Sequence, residues 1–184
     1  MIIGIAGTLG AGKGTVVKYL LETRGFRHYS ARKFLLTEIT RRDLPAAVRD
    51  NMSLVANDLR SKYGAGYIIE QLFEQAQKAG GDAVIESLHT QSEAEFLKSN
   101  KALVLGVDAD IKTRYERILK RESETDHVTF EKFLEDNKRE IASDDPKKHN
   151  IQKVIDMADV KLTNNGTPEE LFLQVEETLK NYAH

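Results

Sequence analysis

The run Gly7-Thr8-Leu9-Gly10-Ala11-Gly12-Lys13-Gly14-Thr15 is where residue type and spacing specify chemistry most directly. It fits GxxxxGK, it follows the apolar run Ile2 to Ala6, and it precedes Val16, Val17, Leu20 and Leu21 at helical spacing. A glycine-rich loop between a strand and a helix turns successive backbone N–H groups inward around phosphate oxygens, and the helix N-terminus adds favourable partial charge. Gly10, Ala11, Gly12, Lys13, Gly14 and Thr15 are therefore expected to hold the β- and γ-phosphates of a nucleotide, with Lys13 as a mobile cation for the terminal groups. The residue after Lys13 is Gly14, so the hydroxyl comes one place later than the general pattern has it. Thr15 is the expected Mg2+ contact, although the generic motif does not supply it there. A glycine-rich turn without a ligand would leave Lys13 unexplained.

Phosphoryl transfer asks a protein for positive charge, alignment and exclusion of water more than for covalent chemistry. Lys112, Arg114, Arg117, Lys120 and Arg121 put five cations into ten residues. Arg117 and Arg121 stand four apart, so on a helix they share a face and could grip one polyphosphate together. The alternative is a solvated face balanced by Glu116 and Glu122. Arg139 is a further phosphate contact to consider, against surface pairing with Glu135 and Glu140. On the other side, Ser30-Ala31-Arg32 opens a helix with a capping hydroxyl and an arginine, and Arg60 precedes the Tyr63-Gly64 break. Arg32 and Arg60 are the candidates for holding an acceptor's phosphate, although either alone could be a surface arginine. Glu86 ends an apolar strand and could orient the acceptor or the magnesium shell, or cap the next helix; His89 follows it closely. Asp108 and Asp110 read as caps of the helix that begins at Ile111.

The elements that must place these groups alternate. Strands are expected at Ile2 to Ala6, Phe26 to Tyr29, Ala83 to Ile85, Ala102 to Val107 and Val160 to Thr163, with helical patterns between them. Gly25 and Gly80-Gly81 read as helix stops, and Pro45 as a break. Thr167, Pro168 and Glu170 make a capping box with a first-turn proline before a last helix carrying Leu171, Val175 and Leu179. Strands of this apolar kind imply an α/β fold, a parallel sheet covered on both faces, with ligands at the carboxyl ends of the strands.

Composition bounds the rest. The chain has 184 residues, 27 basic and 29 acidic side chains, a net charge of -2 and no cysteine. One domain is expected from that length. Absence of cysteine excludes disulfides, thiolate metal sites and a zinc-stapled lid. No stretch approaches the ~20 apolar residues of a membrane span, and Met1 to Ala6 does not read as a signal peptide, so a cytoplasmic protein is expected. The balanced charge argues against a nucleic-acid polymer as partner. It also hides a local excess at 112–121, suited to a small polyanion.

With its strand-loop-helix opening and GxxGxGKGT, the sequence resembles the P-loop nucleoside monophosphate kinase superfamily, adenylate kinase among its members. Glu86, the pair Arg117 and Arg121, and the closing residues Ala158-Asp159, Asn164 and Gly166 extend the likeness, the last group being similar to dephospho-CoA kinases. The resemblance implies a three-layer α/β/α fold with a five-stranded parallel sheet. It further implies a core of 1–30, 80–122 and 158–184, a helical acceptor-binding region at 31–79 and a helical lid at 123–150. It assigns Arg117 to the donor base, Arg121 to the donor phosphates and Asn164 to a backbone contact with adenine, although Asn164-Asn165-Gly166 reads first as a tight turn. Two departures stand out. The resembled kinases commonly place arginine where His89 stands and an arginine in the stretch where this chain has Leu35 and Leu36. The expected function is ATP- and Mg2+-dependent transfer of the γ-phosphate to a small phosphate-bearing acceptor, foremost a nucleoside or deoxynucleoside monophosphate, with Lys13, Arg121 and Glu86 as catalytic groups. Dephospho-CoA kinase is the first alternative, for which Glu86 would be the base, and a nucleotide-binding module or slow ATPase without a specific acceptor is the second. Base preference, ATP against GTP as donor, and oligomeric state are not specified by these residues.

Overall fold

The structure, a computed structural model, describes residues 1–44, 49–120, 129–141 and 150–182, and for 49–50 and 139–141 the backbone alone. The described elements run β1 (Ile2–Gly7), α1 (Lys13–Arg24), β2 (Arg27–Ser30), α2 (Ala31–Arg41), α3 (Arg49–Tyr63), α4 (Tyr67–Ala79), β3 (Ala83–Glu86), α5 (Gln91–Ser99), β4 (Leu103–Asp108), α6 (Ile111–Leu119), α7 (Phe130–Ile141), α8 (Ile151–Met157), β5 (Val160–Thr163) and α9 (Pro168–Tyr182). The five strands form one parallel sheet in the order β2-β3-β1-β4-β5. This is the five-stranded α/β arrangement expected from the alternation.

Side chains alternate across a strand, so each strand feeds two cores. Ile3 and Ile5 of β1 join Val84, Leu103, Leu105, Val107 and Leu162 on the face covered by α1 and α9, through Val16, Val17, Leu20, Leu171 and Val175. Ala6, Ile85 and Val104 point the other way, onto α2, α3, α4, α5 and α8. Both faces are dry, which is why the strands read as continuous apolar runs.

The ends of the helices follow local chemistry. Gly25 takes φ 70 and closes α1, and Ser30 accepts from the Lys33 N–H at the start of α2. Thr167 and Glu170 exchange side-chain bonds with each other's backbone ahead of α9, the expected capping box. A second capping box, at Thr90 and Glu93, opens α5. It removes Glu86 from the capping role that its position had allowed. Asp110 does stand at the N-cap of α6, but its side chain makes no cap bond, and Asp108 turns elsewhere, as described below. Pro45 and Val48 lie outside the described residues, while Val55 and Leu59 of α3 are buried as their spacing predicts.

Register sets what meets at the carboxyl end of the sheet. Glu86 lies opposite Ile5 of β1 and Ser30 of β2, and Gly7 lies opposite Val107. Thr90 is fully buried and ties the connection after β3 to α5. Replacing a capping hydroxyl typically costs about 1–2 kcal/mol, so Thr90→Ala is expected to lower unfolding free energy by that order in urea denaturation monitored by circular dichroism.

Candidate active site

The loop between β1 and α1 is shaped by two left-handed glycines, Gly10 at φ 80 and Gly12 at φ 102. Both also lack room for a side chain. A Cβ on Gly10 would stand 2.5 Å from the Arg114 carbonyl oxygen, and one on Gly12 would overlap Asn164 Nδ2. Gly14 differs, having open space within 4 Å of the same point. No side chain caps α1, so its first turn faces the loop with its amides and its partial positive charge. Gly14 and Thr15 are exposed there. Lys13 Nζ donates to the carbonyls of Gly7 at 2.7 Å and Thr8 at 3.1 Å, which folds its ammonium over the loop. These features fit a chain of phosphates: an open first turn, an available hydroxyl at Thr15 and a cation on a flexible stem.

Neighbouring strands brace this loop from two sides. On one, Asn164 is buried and donates through Nδ2 to the Ala11 carbonyl at 2.8 Å. Arg117 in turn donates to the Asn164 carbonyl at 2.7 Å, to Asn164 Oδ1 at 3.3 Å and to the Gly166 carbonyl at 3.4 Å. Asn164 thus meets the loop by its side chain, and Arg117 reaches it indirectly by holding the 164–166 turn. On the other side Thr8 Oγ1 donates to Asp108 Oδ1 at 2.7 Å. Asp108 therefore serves the loop and not the start of α6. Arg114 completes this brace: its guanidinium is 5% exposed at the residue level and donates to the carbonyls of Ala109 at 3.0 Å and Leu9 at 3.4 Å.

Across the cleft, Glu86 Oε2 accepts from His28 Nε2 at 2.8 Å. The next residue, Ser87, is a non-glycine at φ 74, and the N–H groups of Ser87 and Leu88 both donate to the Ile5 carbonyl. The turn after β3 is thereby pinned to β1, close to the loop. Arg60 Nη2 lies 3.4 Å from Glu93 Oε1, its Nε is buried without a hydrogen-bond partner among the described residues, and Glu93 Oε2 accepts from the N–H groups of His89 and Thr90. Burial pushes the Glu93 carboxyl above the ordinary carboxylate range, against the pull of Arg60 and the two backbone donors. His89 also accepts at its carbonyl from the Asn150 N–H. Arg32 is exposed on the first turn of α2.

Among the expected residues, the loop, Arg117 and Asn164 are joined by hydrogen bonds on the β4–β5 side, while Glu86, His89 and Arg60 lie along or next to the turn after β3 and Arg32 on α2. Arg121 lies outside the described residues, and so does the side chain of Arg139. Thr8, His28, Glu93, Asp108 and Arg114 are additions. Arg114 had a signal in the sequence, since it falls in helical phase with Ile111 and Ile118, on the buried side of α6, whereas Arg117 does not.

Strand order, glycine loop and lysine together define an α/β P-loop fold. A family model described as an AAA domain, AAA_18, matches residues 3–143, and the chain belongs to that family. It is 27% identical to a UPF0200 protein of Methanothermobacter thermautotrophicus, over 100% of this chain and 91% of that one. It is 29% identical to another UPF0200 protein from Staphylothermus marinus, over 97% and 91%. Among solved structures it resembles TT1252 from Thermus thermophilus, with TM-score 0.64, 19% identity and coverage of 98% and 97%. It also resembles the shikimate kinase of Aquifex aeolicus, with TM-score 0.56, 17% identity and coverage of 100% and 98%. No described helix is long and apolar enough to cross a membrane.

The two loop glycines differ in a way that stability measurements can read. Gly12→Ala forces a side chain into left-handed backbone, costing about 1–2 kcal/mol, and overlaps Asn164 besides. Gly14→Ala is expected to leave the thermal midpoint unchanged or slightly raised, because alanine suits a helical first turn better than glycine. Differential scanning calorimetry of the two variants checks the contrast.

Proposed function

We propose that this protein is a kinase that transfers the γ-phosphate of ATP to a small phosphate-bearing acceptor, with nucleoside and deoxynucleoside monophosphates as the first class to consider. The observation that carries the reading is the Lys13 loop, braced by Asn164 and Arg114, standing beside a carboxylate and a half-buried arginine at the same end of the sheet. The loop amides and Lys13 bind the β- and γ-phosphates, and Lys13 follows charge onto the transferring group. Arg117 holds the turn against which the donor base would rest. Arg60, kept in place by Glu93, faces the acceptor's anionic group, and Arg32 and His89 flank it. Arg121, outside the described residues, and Arg139 of α7 are proposed as further phosphate contacts. Mg2+, which the reaction would require, would meet the protein at the Thr15 hydroxyl and would supply positive charge to the phosphates.

A monophosphate acceptor already carries an ionised oxygen, and the reaction with it needs no base. A second reading has its own observation, the His28–Glu86 bond at 2.8 Å. A fixed carboxylate beside the loop suits an acceptor that attacks through a hydroxyl, as the 3′-hydroxyl of dephospho-CoA would. In that case the hydroxyl oxygen bonds to the γ-phosphorus, its proton passes to Glu86, and the bond from phosphorus to the β,γ-bridging oxygen breaks to release ADP.

A coupled ADP-release assay with nucleoside monophosphates, dephospho-CoA and shikimate as acceptors separates the readings. Lys13→Ala is expected to lose most of the turnover with an unchanged circular dichroism spectrum; full turnover in that variant would sink the assignment. Glu86→Gln is expected to change kcat little with a phosphate acceptor, but to lower it by about 100-fold or more with a hydroxyl acceptor that needs a general base. Basal ATP hydrolysis that no acceptor stimulates would favour a slow ATPase instead.

A further inference from the structure

Arg114 lies where the phosphate loop, the end of β4 and α7 meet. A buried guanidinium needs partners for its fan of N–H groups, because an unpaired buried charge is costly. Two of those partners belong to the donor site: the Leu9 carbonyl, 3.4 Å from Nη1, and Asp108, whose Oδ1 lies 3.8 Å from Nε while it accepts from Thr8 Oγ1. Another bond goes elsewhere. Nη1 donates to Asn137 Oδ1 on α7 at 2.7 Å, and Asn137 is only 8% exposed. Phe133, one turn earlier on α7, is buried and sets its ring 5.7 Å from the guanidinium carbon. The backbone joins in, since the Arg114 carbonyl fills the space beside Gly10.

We propose that Asn137, acting through Arg114, is a positioning residue for the donor site, and that docking of α7 and occupancy of the phosphate loop by a nucleotide are linked. The inference rests on the reading of the loop as a nucleotide site. One nitrogen, Nη1, is shared between Leu9 on the loop and Asn137 on α7, so displacing the helix shifts the group that holds Thr8 to Gly10. Linkage is reciprocal: phosphates that fix the loop hold α7, and α7 in place favours the loop conformation that binds phosphates. Tyr115 of α6 also meets Phe130 and Phe133 of α7 through ring contacts, which are apolar and carry little directional preference. The hydrogen bond from Arg114 to Asn137 adds a directional tie between helix and loop.

The test measures ADP binding in the presence of Mg2+ by isothermal titration calorimetry, and amide hydrogen exchange in α7 with and without ADP. Asn137→Ala is expected to raise the Kd for ADP by about fivefold or more, and Asn137→Asp, which keeps an acceptor for Nη1, to stay within about twofold of the wild type. ADP is expected to slow exchange in α7 of the wild type and to do so less in Asn137→Ala, an effect that a merely structural asparagine would not produce. Wild-type affinity in Asn137→Ala, or equal losses in the two variants, overturns the proposal. Should Asn137→Ala not fold, the wild type alone decides: exchange in α7 indifferent to bound ADP also overturns it. A wild-type chain that binds no ADP overturns the donor-site reading, and the linkage with it.

Discussion

The path from β1 into α1 is the constraint on which the rest of this molecule turns. A strand buried in the middle of a parallel sheet must reverse into a helix within five residues while leaving amides exposed to a ligand. Left-handed glycines make that reversal sterically possible but do not hold it. Holding falls to side chains from elsewhere in the chain: Asn164, from the loop after β5, takes the Ala11 carbonyl, Asp108 at the end of β4 takes Thr8, and Arg114 of α6 takes Leu9. The sheet order puts β4 next to β1 and β5 next to β4. The residues that brace the loop thus lie at or after the ends of β4 and β5, while β3 and β2 lie on the other side of β1.

That opposite flank is organised around carboxylates. Glu86 is bound to His28, and Glu93 is bound by two backbone amides while lying next to Arg60. Each acid constrains a group that could meet a substrate, one an imidazole and the other a guanidinium. A buried carboxylate costs more than its pairing returns unless its lone pairs are satisfied, and the capping box does this for Glu93. Ser87, in left-handed backbone between Glu86 and Leu88, adds strain at this point of the chain.

Much of the fold was legible in the residues, and for physical reasons. Runs such as Ala102 to Val107 are apolar on both faces only in a covered parallel strand, and Thr167 with Glu170 leaves little choice about where the last helix begins. The phosphate loop was legible because its chemistry is local: glycines, lysine and helix start occupy one short stretch. Arg60 beside Glu93, and His28 beside Glu86, come from residues 33 and 58 positions apart, and no spacing rule reports such encounters. Asp108 shows the same limit. Beside Ile111 it looked like a cap, whereas the sheet register brings Thr8 to it from 100 positions away. Arg114 was visible as one cation among five; its difference from Arg117 lies in helical phase, which becomes decisive only once the buried side of α6 is known.

The edge strand β2 carries a further consequence. It is four residues long, it bonds to β3 alone, and Arg27 and His28 are exposed. Through Ser30 it leads directly into α2. A four-residue ladder with one neighbour opens by breaking few bonds compared with any change at β1 or β4, so the margin of the sheet yields before the central strands that carry the loop.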